Sequence, residues 1–175
     1  MWSDVTMKKS LMPLLLLIML TAGCSDDSSA ENSAEDVKAY VAELSGSNEV
    51  EAASIDHENL YVEDAGIETV HKLPEDEFFV SFAPYLTTTH PCEVHSLTGC
   101  QGEMVEEDIN VKIVDGNGTV HLDETITTME NGFVDLWLPR DENYTMTINH
   151  QGKSLESEFS TYEGDSTCLT ELQLK

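Results

Sequence analysis

The sequence is poor in positive charge. Lysine and arginine number 8 in 175 residues, against 34 aspartates and glutamates, for a formal net charge of −26 at pH 7. A surface of that sign repels phosphate backbones and anionic headgroups, which argues against nucleic acid and anionic lipid as partners. It suits solubility or a saline habitat, and it gathers cations. Internal repeats are absent, and so are low-complexity segments in the body of the chain. Long apolar runs are missing too: Leu11 to Ala22 is apolar but too short to cross a bilayer unaided. Cysteine is scarce, with only Cys24, Cys92, Cys100 and Cys168. None of them stands in the C-x2-C spacing of a zinc ribbon.

What is present begins with an export signal. Met7-Lys8-Lys9 is a short basic start, the natural point of initiation, and the apolar run follows it directly. The run ends Leu20-Thr21-Ala22-Gly23-Cys24-Ser25, which resembles the lipobox of bacterial lipoproteins, with threonine where leucine is preferred. On that reading residues 1–23 are removed. Cys24 then carries the acyl chains, palmitate among them, and the protein is anchored on the extracytoplasmic side. Ser25 does not resemble an inner-membrane retention signal, which favours an outer membrane where the cell has one. Residues 24–33 are rich in Ser, Asp, Asn and Glu, without apolar periodicity, and read as a flexible tether. Export implies an oxidising compartment. An acylated Cys24 leaves three thiols, an odd number, so one disulfide leaves one thiol free.

The remaining chain suits one domain of ordinary size, or one with a small appendage. Ser33 is placed to cap a helix, and Glu35 and Asp36 favour the positive end of its dipole. Val37, Tyr40, Val41 and Leu44 follow at helical spacing, and Gly46 is a natural stop. So short a helix cannot bury its apolar face alone; it packs on the main domain or on a second copy. Residues 50–73 read as short strands, and Glu77 to Tyr85 as a stronger, aromatic one. After residue 103 alternating segments are separated by turn residues, Asp115-Gly116-Asn117-Gly118 being the clearest hairpin signal. The expected fold is α+β, mostly β: a small N-terminal helix-plus-short-strands region over 34–75, then an antiparallel β-sandwich-like domain over 76–175. On its last strand Cys168, Thr170, Leu172 and Leu174 share one phase, so Cys168 points inward or sits at the strand mouth.

The chemistry concentrates in His90-Pro91-Cys92-Glu93-Val94-His95-Ser96-Leu97-Thr98-Gly99-Cys100. A disulfide between Cys92 and Cys100 closes a short loop, and either cysteine can equally pair with Cys168. Three thiolates and an imidazole also suffice for a metal: a closed tetrahedron for Zn²⁺, or two or three soft ligands for Cu⁺. Thiolates beside a histidine can exchange or donate electrons as well. These readings stay open on spacing alone. Met104, Phe133 and Trp137 are expected in the core, and His57, His71, His121 and His150 at surface or structural positions.

The residues HPCEVHSLTGCQGE, with Asn131-Gly132-Phe133, Trp137-Leu138-Pro139-Arg140-Asp141 and Thr167-Cys168-Leu169-Thr170, resemble the CueP family of periplasmic copper-binding proteins. The likeness runs from about residue 76 to the end and is weaker over 33–75. It implies copper resistance, with copper held as Cu⁺ through Cys92, Cys100 and Cys168. It also implies reduction of Cu²⁺ by the thiols and delivery to a periplasmic superoxide dismutase. An N-terminal dimerisation region, making a homodimer, goes with it. His95 is then the fourth or a supporting ligand and His90 a weaker candidate, with zinc the lesser alternative to copper. The competing readings are a disulfide-stapled lipoprotein without metal and a thiol oxidoreductase acting on other proteins.

Overall fold

The computed structural model describes residues 34–175. The export signal, Cys24, the tether and the cap at Ser33 lie outside the described residues. Among the described residues one helix, α1 (Ala34–Leu44), precedes eleven strands. Three short strands follow it: β1 (Ala52–Ile55), β2 (Asn59–Asp64) and β3 (Ile67–Lys72). Next come β4 (Glu77–Tyr85), β5 (His95–Ser96), β6 (Asp108–Asp115), β7 (Val120–Thr127) and β8 (Val134–Pro139). The chain ends in β9 (Asn143–His150), β10 (Lys153–Ser160) and β11 (Cys168–Gln173). The expected class, mostly β with a small helix, is the one observed.

The strands form three sheets, in the orders β3-β2-β1-β5, β10-β9-β6-β7 and β11-β4-β8. All ladders are antiparallel except β11–β4, which is parallel. The β6–β7 turn is built on Asp115, whose carboxylate accepts the Asn117 and Thr119 N–H groups at 2.9 Å each. Gly118 takes the positive φ of 88° that the turn requires.

β4 organises the core. Its seven central residues are all buried, because both faces of the three-stranded sheet are covered. Phe78, Val80 and Phe82 point one way, into a core shared with Ile109, Val111, Ile113, Tyr144, Met146 and Ile148 of the four-stranded sheet behind them. Met104 joins this core, as expected. The alternate residues point the other way. Phe79 meets Val37, Val41 and Leu44 of α1 together with Ile55, Leu60 and Val62, so the helix buries its apolar face within its own chain. Ala83, four residues along on the same face, packs with Cys100, Phe133 and Cys168. Strand alternation thus carries one face of β4 from the helix to the cysteines.

Candidate metal centre

Each cysteine is placed by a different device. Cys92 ends a strap that leaves β4 at Tyr85. The Glu103 carboxylate gathers the start of that strap, accepting the N–H groups of Leu86, Thr87 and Thr88 at 2.7, 2.8 and 3.2 Å. The Thr87 hydroxyl donates to the same group. These donors hold Glu103 ionised, with its pKa lowered to about 2. Further along, the Thr89 hydroxyl donates to the Thr170 carbonyl at 2.7 Å and lays the strap on β11.

Cys100 closes a tight turn, its N–H donating to the Ser96 carbonyl at 3.0 Å. Cys168 opens β11, opposite Ser81 of β4. It is buried on the phase it shares with Leu172 and Leu174, as its register implied.

His95 sits on the two-residue strand β5, paired with Ile55 of β1. Thr167 fixes it there. The Thr167 hydroxyl donates to the Ile55 carbonyl at 2.6 Å and accepts the His95 N–H at 3.1 Å. The Thr167 carbonyl accepts the Ser81 N–H at 2.8 Å, and its own N–H donates to the Glu93 carbonyl at 3.0 Å. One buried threonine therefore ties β1, β4, β5 and the Cys92 loop together beside Cys168. Thr167 and Glu103 both lie within the stretches that carry the family resemblance, but spacing and periodicity gave neither of them a role, since both act through backbone groups distant along the chain.

These devices bring four donors to one point. One ligand atom from each of Cys92, His95, Cys100 and Cys168 lies within 4.8 Å of all the others, and no further group of this kind occurs among the described residues. Cys92 and Cys168 are joined as a disulfide with their Cα atoms 5.5 Å apart. Cys100 is a free, buried thiol whose sulfur lies 3.5 Å from that of Cys92. His95 Nδ1 lies 3.5 Å from the Cys168 sulfur, and Nε2 has no hydrogen-bond partner although the residue is fully buried. Its ring packs at 4.8 Å from Phe133 and 6.1 Å from Phe79. His90 stays outside the group of four, with its ring 6.4 Å from Phe133. His121 bonds Asp115 and His150 bonds the Asp108 carbonyl, both structural roles. Phe133 is fully buried and Trp137 partly so.

Burial keeps the groups of the site uncharged in the absence of metal. Burial, helped by the nearby His90, lowers the His95 pKa to about 4, so the ring is neutral at physiological pH and its nitrogens can act as ligands. Burial also pushes the Cys100 thiol up, and the Asp135 carboxylate adds to this. Asp135 is itself pushed up by burial, against the hydroxyls of Ser45 and Ser81 that donate to it. A Zn–S bond is about 2.3 Å, so two sulfurs on one ion stand up to about 4.6 Å apart. The four donors, the histidine nitrogen included, spread over up to 4.8 Å, so they must draw together to share one ion. With the disulfide reduced, the cluster could hold a metal, and the orphaned Nε2 is a nitrogen that the protein itself leaves unsatisfied.

The family model for periplasmic copper-binding protein CueP matches residues 39–173. The chain belongs to the CueP family. The crystal structure of S.CueP is similar to it at 36% identity, covering 79% of this chain and 88% of that one, with a TM-score of 0.75. No curated protein matches the sequence. The CueP family is periplasmic and binds copper, and the Cys/His cluster is a place where a metal could be held. Among the described residues no helix is long and apolar enough to cross a membrane.

Two expected results follow from this CueP-family geometry. Thr167→Val leaves the Ile55 carbonyl and the His95 N–H unpaired in a buried place, at about 1–3 kcal/mol of stability; Thr167→Ser recovers most of it. Urea midpoints of the two variants check this. The second result concerns acid. His95 has a folded pKa of about 4 against an ordinary value of 6.5, so the unfolded chain binds a proton that the folded chain refuses. Its stability contribution is fully present above pH 6.5 and is lost as pH falls towards 4, a change of about 3 kcal/mol. Urea midpoints measured across that window should fall in the wild type and fall less in His95→Gln.

Proposed function

We propose that this protein is an exported, Cys24-anchored lipoprotein that binds Cu⁺ through Cys92, Cys100 and Cys168, with His95 as the nitrogen ligand. The observation that carries the reading is the convergence of those four donors, drawn from a strap, a turn, a two-residue strand and the last strand, in a family that binds copper. Thiolates and a neutral imidazole match Cu⁺ better than any harder ion.

The same site reduces Cu²⁺. The Cys92 and Cys168 thiolates give up one electron each to two Cu²⁺ ions, yielding two Cu⁺ and the disulfide between them. The Cys92–Cys168 bond supports this pairing. The free Cys100 thiol and His95 remain to hold a product ion. A thiol reductant from outside must then restore the pair. Delivery of copper to a superoxide dismutase and pairing of two copies through residues 34–75 belong to the same reading.

Anaerobic titration of the reduced protein with Cu⁺ tests it. The expected result is one tightly held ion per chain and a thiolate-to-copper absorption band that disappears in cysteine variants. Absence of tight, cysteine-dependent binding leaves a disulfide-stapled protein without metal. The anchor is tested separately by mass spectrometry of the mature N-terminus, where an unmodified Cys24 would overturn it.

A further inference from the structure

The four donors are largely buried, yet Cys92 and Cys168 both line a surface groove of about 380 Å³. The groove lies between β10 and β11, each at the edge of its own sheet. The two edges touch where Ser154 and Lys175 exchange backbone hydrogen bonds of 3.0 and 3.2 Å. Away from that bridge they separate, and the gap runs towards the disulfide. Because Ser154 turns its backbone groups to this side, strand alternation turns those of Glu156 and Glu158 the same way. An open edge of this kind accepts another strand.

Charge selects what that strand carries. The ionisable side chains lining the groove, apart from the cysteines, are Glu93, Glu158 and Glu171, and no lysine or arginine lines it. All three are exposed. We infer that the groove is the docking site of a metal-exchanging partner, which adds an extended, lysine- or arginine-bearing segment to β10 and brings a metal-binding side chain up to Cys92 and Cys168. The inference rests on the proposed copper site and names the kind of partner that reaches it. Backbone bonds along β10 supply the affinity. The three carboxylates favour basic side chains and speed encounter.

The probes are two fluorescent nonapeptides ending in cysteine, one alternating lysine with valine and one alternating glutamate with valine. Anisotropy is read with the metal-free protein, and Cu⁺ transfer with the loaded one. The lysine peptide should bind and take Cu⁺ at least about 10-fold better at low salt, the advantage shrinking in about 0.5 M salt. Glu158→Lys/Glu171→Lys should remove that advantage, and Glu158→Gln/Glu171→Gln should reduce it without introducing new charge. Glu68→Lys/Glu124→Lys makes the same charge change on exposed positions of β3 and β7 and should leave the peptide within about 2-fold of wild type. N-methylation of alternate peptide bonds should abolish binding, because it removes edge donors. Equal loss in the two lysine pairs, or no loss in either, overturns the groove. If the protein holds no Cu⁺, the copper reading fails, while the anisotropy series on the metal-free protein still decides the docking site.

Discussion

Cys168→Ser should lower the affinity for Cu⁺ at the proposed site more than about 100-fold, a larger loss than removal of a group that only supports a ligand, which costs about 10–100-fold. The reason lies in where Cys168 stands. Its sulfur is bonded to Cys92, lies 3.5 Å from His95 Nδ1 and is buried at the base of β11. Serine replaces a soft sulfur by a hard oxygen that Cu⁺ binds poorly. The strap and turn bearing Cys92 and Cys100 keep their own supports, so what remains is a two-thiolate loop. The variant has a second consequence. The oxidised, metal-free form loses a cross-link spanning 76 residues, about 4 kcal/mol on the chain-entropy model. Cys100→Ser separates the two effects, because it removes a candidate ligand and leaves the disulfide intact. Competition titrations with a Cu⁺ chelator and urea melts of the oxidised proteins give both numbers. Wild-type affinity in Cys168→Ser would rule out a three-thiolate site.

The parts of this molecule that could be read locally were those written in local patterns. Val37, Val41 and Leu44 recur at helical spacing and form the buried face of α1. Asp115 to Gly118 turns where its residues tolerate positive φ, between β6 and β7 as expected. Cys168 shares the inward phase of two leucines, and strand alternation alone placed it. Pairing partners are a different kind of information. Nothing near residue 168 says that β11 runs parallel to β4 and sets Cys168 opposite Ser81. Nothing near residue 95 reveals a strand, since two residues have no period to detect; His95 is held by Ile55 and Thr167, 40 and 72 positions away. The choice among disulfides was equally invisible, because the sulfur that Cys92 meets is decided by how the sheets assemble and not by loop length. Cys92 joins the distant Cys168 rather than the nearby Cys100.

The same distinction governs the second large effect, expected at Gly132. Gly132→Ala destabilises the fold by about 2–5 kcal/mol, from two sources. The residue has a φ of +78°, where a side chain costs about 1–2 kcal/mol. Its backbone also lies against that of Gly102: a Cβ on Gly132 would sit 2.8 Å from the Gly102 carbonyl carbon and oxygen, and one on Gly102 2.7 Å from the Gly132 oxygen. These are backbone atoms and cannot rotate away, so the segments must part, at about 1–3 kcal/mol. Parting them reaches the site. Gly102 is two residues beyond Cys100, and its N–H donates to the Asn131 carbonyl at 2.7 Å. Phe133, next to Gly132, donates its N–H to the Asn131 side chain and packs its ring on His95. The loss of stability should therefore be accompanied by weaker Cu⁺ binding. Gly164→Ala is the control, with a φ of +85° and nothing within 4 Å of the added carbon. It carries the backbone cost alone, so the difference between the two variants in chemical denaturation measures the Gly102–Gly132 contact. Equal losses would mean that the contact yields freely and that the turn of Cys100 is not held against Phe133 by it.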